Sequence, residues 1–160
     1  MLLDFFKDAV FAAIAAIGFA SISNPPRKAF LYCAILAAVG HSLRFLLINT
    51  DIAMNIIPAS TIAAFAIGMI AVKMASHAKF PAETCIFPSL LPMIPGIYAY
   101  RAVAALMMCL LNKEEAVFDH YYYLLTFNGL TCVFIVLGMA IGGSIPIFIF
   151  KKISFQATRS

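Results

Sequence analysis

Residues 121–150 read YYYLLTFNGLTCVFIVLGMAIGGSIPIFIF, thirty residues without one charged side chain. A helix of about 20 apolar residues matches the roughly 30 Å hydrocarbon core of a bilayer. This stretch therefore predicts a membrane-spanning helix. Working back toward the N-terminus, four more stretches of the same character predict spans at about 85–111, 51–74, 29–49 and 5–23. The whole chain is 64% hydrophobic and 11% charged, with a mean hydropathy of +0.99. A soluble domain of 160 residues leaves too much surface wet to hide that much apolar area. The expectation is an all-α, polytopic membrane protein with about five transmembrane helices, one transmembrane domain over residues 1–160, and short joining segments.

The charges report topology. Arg27 and Lys28 fall between spans 1 and 2, Lys73 and Lys79 between spans 3 and 4, and Lys151, Lys152 and Arg159 after span 5. That puts seven of the eleven basic residues on one side. The other side has Lys7 and Lys113 among Asp4, Asp8, Asp51, Glu114, Glu115 and Asp119. The alternation fits the positive-inside rule with the N-terminus outside and the C-terminus in the cytoplasm. The net charge of +4 is thus a topology signal and not a nucleic-acid patch. Asp4 and Asp8 beside a single Lys7 replace the basic start of a signal peptide, so the first span is expected to stay in the mature protein. Cys33, Cys85, Cys109 and Cys132 stand singly in or beside apolar runs, without metal-ligand spacing. They are expected to act as small packing residues.

Two spans carry small residues at helix-packing intervals: Ala9, Ala12, Ala13, Ala16 and Ala20 in the first, Gly138 and Gly142 in the fifth. Such stripes let helices approach closely, either within this chain or on a partner. The fourth span differs, because Pro88, Pro92, Pro95 and Gly96 crowd into nine positions. Proline removes a backbone donor and clashes with the preceding turn. The residues from 85 to 96 cover about 17 Å at 1.5 Å each, which sets the breakers near mid-bilayer. Irregular backbone at that depth needs protein or a water-filled cavity around it, and transporters use broken helices to aim backbone groups at substrate. A simple proline kink is the alternative.

Few polar groups lie inside the spans. His41 and Arg44 are three residues apart in the second, and Tyr98 and Arg101 repeat that spacing just beyond the break in the fourth. Residues so spaced share a helix face. Counted from the inner ends, Arg44 lies about 22 Å up its span and Arg101 about 24 Å up its own. Asn128, about 10 Å from the outer end of the fifth span, reaches the same band. An arginine within a span costs at least ~2.5–3.5 kcal/mol on insertion scales, so it faces a cavity or a partner. Its planar fork matches a carboxylate with two hydrogen bonds. Arg44, Arg101, His41, Tyr98 and Asn128 are accordingly the expected substrate-binding residues, for an anion of carboxylate type. Snorkelling of Arg44, a structural ion pair or backbone bond for Arg101, and a packing role for His41 are the alternatives. With no Asp or Glu near the middle of a span, His41 is the one group at depth that titrates near neutral pH.

Catalysis has little support. Ser42 follows His41, but adjacent helical residues do not face each other. No glycine-rich phosphate loop and no metal cluster is present in the sequence, so neither enzyme activity, metal nor cofactor is expected.

Two segments go beyond general physics. One holds Gly18-Phe19-Ala20, Asn24-Pro25-Pro26-Arg27-Lys28-Ala29, Tyr32-Cys33-Ala34, then Gly40-His41 and Arg44. The other is Leu91-Pro92-Met93-Ile94-Pro95-Gly96-Ile97-Tyr98-Ala99-Tyr100-Arg101-Ala102. Both resemble the C-terminal half of the threonine/serine exporter family. In split members that half is a separate small subunit (the YjjB type), like that of the two-component bacterial succinate exporter. Pro25 departs from the family pattern, which often has an apolar residue there. The resemblance implies export of succinate-like dicarboxylates, threonine or serine across the bacterial cytoplasmic membrane. It also implies a larger membrane subunit of the same family as partner, with a homo-oligomer left open. The competing function is a non-transporting scaffold subunit that assembles and stabilises the larger partner.

Overall fold

The computed structural model describes residues 2–50, 53–78, 80–112 and 114–150, without the side chains of Leu2, Ser76 and Ala78. Asp51, Lys79, Lys113, Lys151, Lys152 and Arg159, which enter the topology argument, lie outside the described residues. The described residues form helices α1 (Leu2–Ser23), α2 (Arg27–Asn49), α3 (Ile56–Ala78), α4 (Glu83–Leu90), α5 (Gly96–Leu111) and α6 (Glu115–Ile149). A single 3₁₀ turn, Leu91–Met93, follows α4. No strand occurs among the described residues. Four helices are long and apolar enough to cross a membrane, and the count is five where the bent pair of α4 and α5 is taken as one broken span. The all-α polytopic fold is therefore as expected. The last helix starts at Glu115 and not near 121; its 35 residues extend about 52 Å at 1.5 Å each, well beyond the hydrocarbon core.

The chain divides into two compact units. The first holds α1 to α4, the 3₁₀ turn and the end of α6 from Gly138; the second is Ile94–Leu137.

In the first unit α2 is central and packs on α1, α3 and α4. Its buried residues, Ala29, Cys33, Ala34, Leu36, Ala37, Gly40 and His41, follow the three-and-four spacing of a helix face. α1 packs on α2, on α4 and on the 3₁₀ turn, and Ala12, Ala16 and Ala20 are its buried alanines. Apolar burial gives little drive between helices in lipid, so close contact through small side chains has to hold them. Between α1 and α2, Asn24 takes a left-handed φ of 45°, a conformation asparagine tolerates at a helix C-terminus. Pro25 and Pro26 follow and cannot continue α1.

Gly40 marks the closest approach of α3. A Cβ at this position would collide with the Ile67 side chain. The Gly138/Gly142 pair is used inside this chain: a Cβ at Gly142 would lie 2.5 Å from the Thr61 carbonyl oxygen of α3, and one at Gly138 would meet Thr61 Oγ1.

The fourth span breaks in stages. Pro88 lies inside α4, which continues to Leu90, so the interruption begins later than the first proline. Pro88 leaves the Thr84 carbonyl without its usual donor, and the Cys33 thiol lies 3.9 Å from that oxygen. Ser89 Oγ stands 2.6 Å from the Cys85 carbonyl and 3.0 Å from the Cys33 carbonyl, tying α4 to α2. Regular backbone then ends: Pro95 has φ −78° and ψ 62°, and the Gly96 amide donates to the Ile94 carbonyl at 2.8 Å.

In the second unit α5 buries Ala102, Ala105 and Cys109. Ala102 Cβ lies 4.0 Å from the position a Gly129 Cβ would take on α6. The N-terminal part of α6 is aromatic, with Phe118 stacked on Tyr122 and Tyr123 on Phe127, the residue type that gathers at the membrane interface.

Candidate functional site

The break leaves consecutive carbonyls without helical donors, and α2 turns two polar side chains toward them. The Gly96 amide, which would serve the Pro92 carbonyl in a continuous helix, is bonded to Ile94 instead. The Met93 carbonyl receives a hydrogen bond of 2.9 Å from Arg44 Nη1. Arg44 is half-buried and points inward, so it does not snorkel to the surface. The Pro92 carbonyl lies beside the His41 imidazole. One turn of α2 thus meets both carbonyls because His41 and Arg44 are three residues apart.

His41 has a second partner. Its Nδ1 lies 3.1 Å from Asp8 Oδ2 of α1, with the imidazole 8% exposed and the carboxylate side chain 36% exposed. An ionised carboxylate only accepts hydrogen bonds, so Nδ1 carries the proton. Nε2 is then a bare lone pair in the neutral ring. It is buried and has no hydrogen bond, which follows, since a carbonyl such as that of Pro92 cannot donate to it. Asp8 also acts electrostatically on Arg44. The site in the first unit is therefore one carboxylate, one imidazole and one guanidinium around irregular backbone.

The other expected residues sit in the second unit. Tyr98 is half-buried and Arg101 exposed, both on α5. Asn128 is buried at 4% exposure on α6, and its Nδ2 donates to the Leu124 carbonyl of its own helix at 2.7 Å. The Ala102–Gly129 approach sets Arg101 and Asn128, each one residue away, at the same level of α5 and α6. An exposed arginine within an apolar span needs a polar cavity or another chain around it.

Sequence reasoning missed Asp8, which it counted among the outer flanking charges. A signal was present. Asp8, Ala12, Ala16 and Ala20 recur every four residues, so the face that carries the buried alanines also carries the carboxylate. Among the described residues no group of three or more His, Cys, Asp or Glu could hold a metal ion.

Comparison with known proteins agrees with this architecture. The family model described as "Threonine/Serine exporter, ThrE" matches residues 8–149. A protein of Haemophilus influenzae, described only as uncharacterized, is 39% identical over 106 residues, covering 66% of this chain and 35% of its own length. The chain therefore spans about a third of that relative. No solved structure matches significantly. The matched region takes in every described helix almost completely, from Asp8 of the carboxylate–imidazole pair to the end of α6: the chain belongs to the threonine/serine exporter ThrE family.

Proposed function

We propose that this chain is the small membrane subunit of a secondary exporter that moves small carboxylates, a dicarboxylate such as succinate or the amino acids threonine and serine, out of the bacterial cytoplasm. The observation that carries this reading is Arg44, a guanidinium half-buried within a span, held at 2.9 Å to a carbonyl freed by the helix break. One edge of the fork is anchored by backbone, and its remaining donors suit a carboxylate. Arg101 supplies a second cation for a dicarboxylate, with Tyr98 and Asn128 as hydrogen-bonding neighbours. His41 assists or carries a proton, as the one imidazole buried beside Arg44, with its Nε2 free of any hydrogen bond. The partner is a larger membrane subunit of the same family. Five spans in each would give an inverted pair, the arrangement on which many transporters are built. The membrane is the bacterial cytoplasmic membrane, with the N-terminus outside.

The test is export of succinate and of threonine by cells carrying Arg44→Gln, Arg101→Gln, Arg101→Lys and His41→Gln at matched membrane levels. Loss of a charge-assisted hydrogen bond costs about 1.5–3 kcal/mol, so either Gln variant of arginine should weaken apparent affinity roughly 10- to 150-fold. Arg101→Lys should rescue only in part, since lysine lacks the bidentate fork. Full export by both arginine-to-glutamine variants would remove the carboxylate site from this chain. The bond of Arg44 to Met93 also favours a second reading, a scaffold subunit in which Arg44 only stabilises the break. In that case Arg101→Gln leaves both assembly and export intact.

A further inference from the structure

We propose that Asp8 is a tethered occupant of the anion site, a carboxylate of the protein itself that a substrate carboxylate must displace from His41 in order to bind beside Arg44. The proposal rests on the reading of His41 and Arg44 as anion-binding groups. Four observations lead to it. Asp8 meets the His41 imidazole at 3.1 Å, and its charge also acts on Arg44, so it serves both groups assigned to the substrate. It has the substrate's own chemistry. It is 36% exposed where the imidazole is 8% exposed, so the carboxylate stands at the accessible side of the pair and the imidazole at the closed side. Finally, α1 packs on α2 and buries Ala12, Ala16 and Ala20. Displacement is then a change of the Asp8 side-chain rotamer on a packed helix.

The arrangement has a purpose in an exporter. A guanidinium inside a membrane is costly without a countercharge, and a buried imidazole N–H is costly without an acceptor. A tethered carboxylate keeps them compensated when no substrate is bound. It also sets a threshold, because only a ligand that offers a carboxylate replaces what is lost. Neutral metabolites of similar size cannot do so.

The experiment is equilibrium binding of radiolabelled succinate, and in parallel threonine, to the full-length protein in lipid nanodiscs with any subunit that co-purifies. Asp8→Asn removes the competing charge and keeps the shape. It should bind at least one probe about 10-fold more tightly, the scale of one charge-assisted hydrogen bond no longer competed for. Asp8→Glu keeps the charge and should stay near the wild-type affinity. Arg44→Gln should weaken binding by a similar factor or more, alone and combined with Asp8→Asn. If Asp8→Asn does not elute as folded protein, Asp8→Ser replaces it with a shorter neutral side chain. Unchanged or weaker binding by Asp8→Asn, with Arg44→Gln still damaging, would overturn the tethered occupant and leave the anion site standing. Unchanged binding by Arg44→Gln would overturn both.

Discussion

Gly40 has no room for a methyl group. Its missing Cβ is where the Ile67 side chain of α3 lies, one residue from His41. Overpacking of this kind costs about 1–3 kcal/mol. Gly40→Ala is therefore expected to lower the melting temperature of the purified protein, and Gly40→Ala with Ile67→Ala to recover part of the loss. Gly18→Ala is the control, because nothing lies within 4 Å of a Cβ there. Equal melting temperatures for Gly40→Ala and Gly18→Ala would refute the packing argument.

At the scale of elements, the crossing of α6 over α3 makes the sharpest demand. A Cβ at Gly142 would meet the Thr61 carbonyl, and one at Gly143 the Leu90 side chain at 3.0 Å. Backbone cannot yield as a side-chain tip can. Gly142→Leu should therefore destabilise more than Gly40→Ala, while Gly129→Ala, whose added carbon would meet only Ala102 at 4.0 Å, should be tolerated. Thermal melting in detergent decides this, and a Gly142→Leu protein as stable as Gly129→Ala would count against the crossing. The glycine pair was legible in the sequence as a close-packing motif, but not its partner, since a spacing rule does not say which helix is approached. The break in the fourth span was legible for a different reason. Proline acts through its own covalent ring and missing N–H, which needs no knowledge of neighbours. The carbonyls it frees, and the capture of one of them by Arg44, depend on the register of α2 against α4. No local rule supplies that register.

For the whole molecule, span number follows from hydropathy and length alone, and five stretches in the sequence became four long helices and one broken pair. Orientation is proposed from where the basic residues fall. A cytoplasmic-type reporter fused after Arg159 should be active and a periplasmic-type reporter there inactive; the reverse would overturn the assignment with the N-terminus outside. Asp8 escaped the sequence reading because it stands near a helix end, where a carboxylate is unremarkable by composition. Only the rotation of α1 about its axis, which buries alanines 12, 16 and 20, turns it inward. Burial patterns of that sort are visible once the packed face is known, and the face is a property of two helices together.

The turn at Asn24-Pro25-Pro26 makes the first two helices a measuring device. Asp8 stands sixteen residues ahead of Asn24 and His41 fifteen beyond Pro26, so the two side chains meet because lengths that differ by one residue are counted from one fold point. Each residue advances a helix by about 100° of rotation at 3.6 residues per turn. A single alanine inserted between Ala16 and Ile17 would leave span number, hydropathy and turn untouched, yet swing Asp8 more than a quarter of a circle away from the imidazole. Residue count along this hairpin is therefore under constraint as well as residue type, and lengthening it by one position should undo the pair as surely as removing the carboxylate.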